Sequence, residues 1–496
     1  MSSELLEAFW DYEDALMSND LDRLDHRFAP DAIRGDAAGI LNGHDAISAF
    51  RQGRGGAPKR TILHTEVIEI DADNALVIAI TQPLTGGRGQ QTQLWTRVDG
   101  SWRVKAAHVA LPAPAVNSTV WRVVGTPLVR GAATGSLTGE TVAVKDLYDV
   151  AGFAVGAGVP AYLGEPATKN SPAVDALLAA GANVTGIAQT DEFAYSIAGR
   201  NPHYGTPPNP AVVGGIPGGS SSGPASAVAL GQASIGLSTD TAGSIRVPAS
   251  YQGLWGLRTT HGSVSANGLV ALAPTFDAPG WITRSAEVLQ RAAAATLVEH
   301  VDAGSFVVDP LLVAQAEPDV RAGFAAFGTY DTVSLGDPQE FFETFRTVQQ
   351  AEAWRIHGAW IQAHPGALGD DVAARFELAS RVTPEQEHAA RATLARLRVQ
   401  LDDALGDRVL LVPSASSIAI STTADAATVE RTRQGTLKMT SVAGLTGRPA
   451  LSAPLLSVPN AGALLPAPVG LCLVGPRHSE LALITLAEQL ALDASR

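Results

Sequence analysis

The sequence contains little cysteine and few charged residues. One cysteine, Cys472, occurs among 496 residues, inside the apolar run 469–474. A single cysteine cannot build an intrachain disulfide framework, so a disulfide-stapled secreted scaffold is excluded and Cys472 is predicted to lie in the core. Charged residues make up 17% and hydrophobic residues 46% of the chain. These proportions are typical of a globular protein rather than a disordered one.

Basic residues are in deficit. Lysine and arginine total 35 against 49 aspartate and glutamate, which gives a formal net charge of −14. That charge argues against nucleic acid and anionic membrane surfaces as partners. No apolar run has the length needed to span a bilayer, and the N-terminal sequence MSSELLEAFWDYED is acidic and amphipathic, unlike a signal peptide. The sequence therefore predicts a cytoplasmic protein without nucleic-acid or membrane partners.

Motifs for metal ions and cofactors are also missing. The eleven histidines are scattered without HExxH-like spacing, and the sequence has no GxxxxGK loop, no strand–GxGxxG–helix unit and no GxSxG. These motifs are the local signatures of zinc, phosphate, dinucleotide and α/β-hydrolase sites. We therefore expect neither a metal nor a cofactor.

Small residues are concentrated in residues 214–250, GGIPGGSSSGPASAVALGQASIGLSTDTAGSIRVPAS. Composition alone is typical of a flexible linker. However, residues 224–237 are rich in alanine and aliphatic side chains, and Asp240, Ser244 and Arg246 follow among small residues. This pattern favours a packed helix and strand followed by a tight buried turn. Asp240 and Arg246 have two open interpretations, contact with a substrate or an ion pair that braces the turn.

This stretch resembles the signature of the amidase signature family of serine hydrolases. The family uses a Ser–cisSer–Lys triad, and the matching positions are Lys145 in VAVKDLYDV, Ser220 in GGSSSG and Ser244 in STDTAGS. The spacings of 75 and 24 residues also fit the family. The likeness runs from about residue 124 to the C-terminus and includes TDEFAYS, APTFDAPGWITRS, SVAGLTGRPALSAP and PVGLCLVGP. The resemblance implies that Ser244 is the nucleophile, with Ser220 and Lys145 as its proton relay.

Such a relay needs a lysine that is neutral near pH 7. A serine hydroxyl is a weak nucleophile unless an adjacent base takes its proton. A free lysine has a pKa of about 10.4, and burial lowers that pKa by up to about 3–5 units. The apolar residues 142–144 before Lys145 predict a buried strand end. The alternative interpretation is a surface lysine that is ion-paired with Asp146 or Asp149.

The resemblance also implies the remaining parts of the site. The peptide bond before Ser220 is expected to be cis, and Ser221 and Ser222 are assigned to turn and helix-cap roles. Most family members have glycine at the position of Ala242. The oxyanion hole is expected to consist of the backbone N–H groups of Thr241, Ala242 and Gly243. Candidate substrate-binding residues are Phe193, Tyr195, Gly219, Phe276 and Trp281, although the aromatic ones equally suit a hydrophobic core.

The first 110 residues have a different pattern. Apolar residues at helical spacing and a second helical segment at 44–51 precede four strand-like runs, 61–71, 75–81, 91–98 and 102–109. This α+β cone resembles the NTF2-like or SnoaL-like fold and, within it, the dicarboxyurea decarboxylase type from cyanuric acid breakdown. Its matching features are FWDYEDALMSNDLDRLDHRFAPDAIR, GHDAISAFR and SWRVKAAHVA. Such cones enclose a pocket, and the candidate lining residues are Tyr12, Arg34, Arg51 and His64.

The two arginines among these candidates, Arg34 and Arg51, would suit a ligand that carries a carboxylate. The alternative is a degenerate pocket with surface ion pairs, in a domain that serves only in homodimer formation.

The sequence thus predicts two domains, a cone at 1–110 and an α/β amidase-type domain at 127–496, joined by a linker at 111–126. The second domain should have a central mixed sheet flanked by helices. The predicted function is hydrolysis of the C–N bond of a small linear amide. Two alternatives remain open, a bifunctional hydrolase and decarboxylase acting on carboxylated ureas, and a catalytically silent scaffold.

Overall fold

The computed structural model describes residues 2–36, 39–52, 59–83, 89–110, 117–460 and 465–494. The chain divides into two compact units, Met1–Ala115 and Val116–Arg496. None of the helices in these described ranges is both long and apolar enough to cross a membrane.

The first unit is a single sheet with helices packed on it. Helix α1 is amphipathic and buries Leu5, Phe9, Tyr12 and Leu16 at helical spacing. The described strands form a six-stranded sheet of order β2-β1-β6-β5-β4-β3, antiparallel except for the β1–β6 pair. The elements are α1 Ser2–Ser18, α2 Leu21–His26, β1 Phe28–Asp36, β2 Gly39–Asn42, α3 His44–Gln52, β3 Arg60–Glu69, β4 Asn74–Pro83, β5 Gly89–Val98 and β6 Ser101–Ala110.

The second unit is built on a mixed sheet between helices. Its described strands form an 11-stranded sheet of order β14-β13-β15-β17-β16-β11-β12-β10-β8-β9-β7. The strands are β7 Trp121–Val129, β8 Thr141–Lys145, β9 Asn183–Ala188, β10 Ile235–Asp240, β11 Trp255–Arg258, β12 Ala278–Thr283, β13 Phe306–Val308, β14 Asp331–Thr332, β15 Val409–Pro413, β16 Ala450–Val458 and β17 Ala467–Val474. The fold class expected from the sequence, a cone followed by a mixed-sheet α/β domain, is confirmed.

The helices of the second unit cover the sheet. Their starts follow local capping signals: the Ser171 side chain accepts from the Val174 N–H before Pro172, and Thr383 and Gln386 form a capping box. The helices are α4 Pro172–Ala179, α5 Ser222–Ala229, α6 Arg246–Gln252, α7 Ala286–Ala294, α8 Pro310–Val313, α9 Pro318–Phe327, α10 Pro338–Ala363, α11 Asp370–Ala379, α12 Pro384–Leu405, α13 Ala426–Thr446 and α14 Glu480–Ala494. Short 3₁₀ turns occur at Pro160–Tyr162 and Glu192–Ala194.

The predicted linker was too long at its C-terminal end. Residues 121–126 belong to β7, which pairs with β9 and brings the buried Trp121 into the second unit. Pro112 and Pro114, which suggested a linker, lie outside the described residues, whereas the small polar residues 117–119 lead directly into β7. The paired β-branched run after Trp121 is the signal that the linker prediction overlooked.

Three central strands position the candidate site. Strand β8 is parallel to both β9 and β10, with Val144 opposite Leu237 on one side and Lys145 opposite Ala188 on the other. The carboxyl ends of these strands therefore meet at one edge of the sheet, where α/β proteins bind ligands. The loop after β10 and the segment before α5 lie at this edge. Cys472 is buried in β17, so its prediction as a core residue is confirmed.

Candidate active site

Lys145 is a buried cation surrounded by hydroxyl groups. It ends β8, and its side chain has no exposed surface. Its Nζ donates to Ser220 Oγ at 2.9 Å, to Ser221 Oγ at 2.9 Å and to Thr239 Oγ1 at 2.8 Å. Asp146 pairs with Arg122 at 2.8 Å instead. The alternative of a surface lysine paired with a neighbouring aspartate is therefore wrong.

The surroundings of Lys145 lower its pKa. Burial, which disfavours the ammonium form, lowers the pKa of Lys145 to about 7, although Asp191, Asp240 and Asp277 act in the opposite direction. Among the described residues, its hydrogen-bond acceptors are hydroxyls rather than carboxylates. At neutral pH a large fraction of this amine is therefore unprotonated, as a general base requires.

Ser220 and Ser244 lie on two loops that touch each other. The Gly219–Ser220 peptide bond is cis, as the resemblance implied. The backbone N–H of Ser221 donates to the Ser244 carbonyl at 3.3 Å, which holds the loop before α5 against the loop after β10. The Ser244 hydroxyl makes no hydrogen bond within the described residues, and Ser244 lines a narrow cavity. The three predicted triad residues are thus placed at one edge of the sheet.

The loop that carries Ser244 is braced by buried charges. Arg246 Nη2 donates to Asp240 Oδ1 at 2.9 Å, and both side chains are almost completely buried. Arg258 donates to the Asp240 carbonyl as well. Burial would raise the pKa of the Asp240 carboxyl, but Arg246 and Arg258 hold that pKa well below its usual value. The interpretation of Asp240 and Arg246 as a bracing ion pair is confirmed.

The backbone amides before Ser244 differ from the prediction in one respect. The Gly243 N–H donates to Asp240 Oδ1 at 2.9 Å, so this amide is already engaged. Within the described residues, the N–H groups of Thr241 and Ala242 make no hydrogen bond. Gly243 has a φ of 122°, a conformation that favours glycine, whereas Ala242 is not among the residues of positive φ. Alanine at position 242 is therefore compatible with this backbone.

The cavity at Ser244 corrects the predicted substrate-binding set. It is narrow and partly open to solvent, and Tyr195 is the predicted residue that lines it. Its other lining residues are Ala194, Ser196, Ile197, Thr241, Ala242, Gln349, Arg433 and Leu437. Gln349 comes from α10 and Arg433 from α13, 99 and 183 residues beyond Ser250, and no motif singled out either residue.

The other aromatic candidates belong to the core. Phe193 is buried against Tyr162, Trp360 and Phe376. Phe276 packs on Phe345 with ring centroids 4.5 Å apart, and Trp281 is buried in β12. At Gly219 the backbone packs so closely against the Asp191 side chain that a Cβ there would lie 2.4 Å from Asp191 Oδ2. Phe193, Phe276 and Trp281, predicted to contact substrate, are thus buried and do not line the cavity at Ser244, since aromatic residues serve packing equally well.

In the first unit, the structure brings together three of the four predicted pocket residues, Tyr12, Arg34 and Arg51. Arg51 Nη2 donates to Tyr12 Oη at 3.2 Å, and burial raises the pKa of Tyr12 while Arg51 and Arg34 oppose that rise. His64 does not join them. It is 63% exposed beside Glu66, because a register shift between Ile62 and His64 moves it onto the exposed face of β3.

Nearby, the buried Glu13 accepts from Arg60 at 2.6 Å and from Gln91 at 2.7 Å. Among the described residues of both units, no group of three or more His, Cys, Asp or Glu side chains is placed to hold a metal ion.

The geometry defines the second unit as a mixed-sheet α/β domain that places Lys145, Ser220 and Ser244 at one edge of the sheet. Comparison with known proteins identifies the family. The family model Amidase matches residues 126–365, and the model AtzH-like matches residues 1–114. Amidase 1 of Arabidopsis thaliana is 33% identical over 416 residues, covering 75% of this chain and 96% of the relative. The 2-amino-5-chloromuconic acid deaminase of Comamonas testosteroni is 33% identical over 393 residues, covering 73% and 83% respectively.

Solved structures of similar fold support the same family. A crystal structure of an amidase superposes with a TM-score of 0.66 at 29% identity, covering 73% of this chain and 85% of that one. An inhibitor-bound vestigial protein complex related to the origins of an s-triazine catabolic enzyme gives 0.66 at 25% identity, covering 73% and 86%. The chain therefore belongs to the amidase signature family, with an AtzH-like N-terminal domain. It is a hydrolase of carbon–nitrogen bonds.

Proposed function

We propose that the protein hydrolyses a small linear amide through an acyl-enzyme formed on Ser244. The observation that carries this proposal is the buried Lys145 amine, whose described acceptors are hydroxyls and which donates to Ser220 Oγ at 2.9 Å. A buried cation without a carboxylate partner is costly for stability alone. A base with a pKa near the working pH is what amide cleavage needs, and burial supplies it here.

The hydroxyl cluster favours one direction of proton flow. A neutral amine has two N–H donors and one lone pair, so two of the three hydroxyls accept from it and the third donates to it. Ser221 Oγ itself donates to the Thr239 carbonyl at 3.2 Å, which leaves Ser221 as an acceptor toward Lys145. Among the described residues the Ser220 hydroxyl hydrogen-bonds only with Lys145, so its own proton is uncommitted, and the family resemblance assigns it to pass a proton to the lysine lone pair.

The reaction then follows in two halves. Ser244 Oγ bonds to the amide carbon while its proton moves through Ser220 to Lys145 Nζ. The C–N bond breaks as Lys145 returns that proton to the leaving nitrogen, and an amine or ammonia departs. Water next adds to the acyl carbon while its proton passes to Lys145, and the Ser244 ester bond breaks as that proton returns through Ser220 to Ser244 Oγ, so that a carboxylic acid leaves. The N–H groups of Thr241 and Ala242, which make no hydrogen bond within the described ranges, are the candidates to stabilise the oxyanion in both halves.

A labelling experiment tests this proposal. A fluorophosphonate probe should label the wild-type protein at Ser244, and a screen over primary amides, anilides, carbamates and ureides should find turnover that Ser244→Ala abolishes. Ser265→Ala, on an exposed serine, is the matched control and should keep both labelling and turnover. Absence of labelling and of turnover would favour the silent scaffold and overturn the proposal.

A decarboxylase activity of the N-terminal domain on carboxylated ureas is a second candidate. It is favoured by the Arg51 guanidinium, which lies 5.2 Å from the Phe28 ring and donates to Tyr12 in the interior. Release of CO₂ from a carboxylated urea by wild-type and Ser244→Ala protein, but not by Arg51→Gln, would support it. Equal CO₂ release by Arg51→Gln would reject it.

The exposed Leu63, Ile68 and Ile70 on or beside β3 also favour a homodimer. Light scattering in solution tests this proposal, and a monomeric mass would reject it.

A further inference from the structure

The cavity beside Ser244 is lined by polar groups that lack protein partners. Tyr195 and Gln349 are each 5% exposed, and neither the tyrosine hydroxyl nor the Gln349 amide makes a side-chain hydrogen bond within the described residues. Both side chains line the cavity, where their polar atoms can be reached by a bound molecule. Two such groups at one cavity are placed to donate hydrogen bonds to a ligand.

Arg433 adds a positive charge to the same cavity. It projects from α13, and its side chain is 16% exposed. Its guanidinium makes one hydrogen bond among the described residues, from Nη1 to Glu430 Oε1 at 3.4 Å. Glu430 is 49% exposed and also accepts from Gln434 at 2.8 Å. Most of the donor capacity of Arg433 is therefore unused by the protein.

The neighbouring Arg375 shows what a structural arginine looks like at this site. It donates from Nη1 to the Tyr195 carbonyl at 2.5 Å and from Nη2 to both oxygens of Asp371 at 2.9 and 2.8 Å. Its charge and its donors are thus satisfied. Burial lowers the pKa of Arg433 to about 10, with Arg375 acting in the same direction, so Arg433 is still charged at neutral pH.

We propose that Arg433, Gln349 and Tyr195 bind a carboxylate of the substrate, so that the enzyme acts on small amides that carry an acid group. A carboxylate has about four acceptor sites, and a guanidinium, an amide NH₂ and a phenol supply matching donors. Ala194, Ile197 and Leu437 form the apolar part of the cavity lining. This inference deepens the proposed function and rests on it.

The test compares two nearly isosteric substrates, succinamate and its neutral diamide succinamide. The wild type should prefer succinamate in kcat/KM. Arg433→Gln should lower kcat/KM for succinamate by about 100-fold, mainly through KM, because it removes a buried charge pair. Succinamide should change by less than about threefold. Arg433→Lys should restore part of the loss, and Arg431→Gln, an exposed arginine on the same helix, should change neither substrate.

Two outcomes overturn the inference: a wild type that prefers succinamide, and an equal loss for both substrates in Arg433→Gln. Calorimetry with Ser244→Ala separates this inference from the proposed function. Binding of succinamate that Arg433→Gln weakens would keep the carboxylate site even if no amide were hydrolysed. Binding that does not depend on Arg433, or no binding, would overturn the site whatever Ser244 does.

Discussion

Two buried cations at the same edge of the sheet have opposite surroundings. Arg246 is held by Asp240 at 2.9 Å and donates to the Thr440 carbonyl at 3.0 Å. Lys145, equally buried, donates to three hydroxyls. A carboxylate partner keeps a cation charged and fixes a loop, whereas hydroxyl partners in a dry site leave the proton free to move. The comparison therefore distinguishes Arg246, whose charge stabilises the fold, from Lys145, whose amine can take part in a proton transfer.

The same contrast occurs between the two arginines near Tyr195. Arg375 is satisfied by Asp371 and a carbonyl, and Arg433 faces the cavity with one long contact. In the first unit, Glu13 is likewise satisfied by Arg60 and Gln91. Paired charges hold the fold, and the incompletely paired ones lie at the candidate site, where perturbed groups are expected to gather.

Lys145→Met should give the largest effect. Loss of the base should lower kcat by about 10⁴-fold, at the upper end of what general base catalysis contributes. The protein should remain folded, because a buried amine is replaced by an apolar chain of similar length. Steady-state kinetics and thermal unfolding measure the two quantities. Lys169→Met, on an exposed lysine, is the control, and full turnover by Lys145→Met would remove the distinction between the two cations.

Asp240→Ala should chiefly affect stability. It leaves Arg246 and Arg258 buried without their carboxylate, which costs about 3–5 kcal/mol in the free energy of unfolding. Glu377→Ala, which breaks an exposed pair with Arg381, should cost no more than about 1 kcal/mol. Urea unfolding of the two variants gives both values. Equal costs would mean that Asp240 does not brace the loop.

Gly243→Ala should have a smaller effect, combining stability and rate. A Cβ would lie 3.1 Å from Val247 Cγ2 and 3.3 Å from Thr440 Cγ2, at a φ of 122°. This strain is worth about 1–3 kcal/mol and would displace the adjoining Ser244, so kcat should fall as well. Ala242→Gly is the matched change one residue earlier and should cost less than about 1 kcal/mol. A milder effect of Gly243→Ala than of Ala242→Gly would contradict the positive φ assigned to Gly243.

The fold and the triad could be predicted because their signals are local. The apolar residues before Lys145 mark a buried strand, and the glycine and serine runs mark the two loops that meet it. Helices α10 and α12 have equally local signals, since their apolar periodicity and their Asp337-Pro338 and Thr383-Pro384 starts are contiguous in sequence.

The rest could not be predicted because it depends on tertiary contacts. Gln349 and Arg433 reach the cavity from helices that are remote in sequence, and nothing in their local sequence distinguishes them from surface residues. The commitment of the Gly243 N–H to Asp240 depends on the turn geometry after β10. His64 changed faces through a register shift, which period-two alternation does not reveal.

Thr239→Val should have the smallest effect and tests the hydroxyl cluster itself. Because the pKa of Lys145 lies at about 7, wild-type kcat/KM should rise about tenfold per pH unit below that value and level off above it, where the amine is neutral. Thr239 Oγ1 accepts from the amine at 2.8 Å and so stabilises its protonated form.

Removing that acceptor should lower the pKa and move the inflection to lower pH by about 0.7 unit, the equivalent of one hydrogen bond of about 1 kcal/mol. The plateau should change by less than about tenfold, because the base and both serines remain. pH–rate profiles of the two proteins measure the shift. An inflection that moves upward would mean that Thr239 donates to the neutral amine, in which case Ser220 would lose its place as the hydroxyl that faces the lone pair.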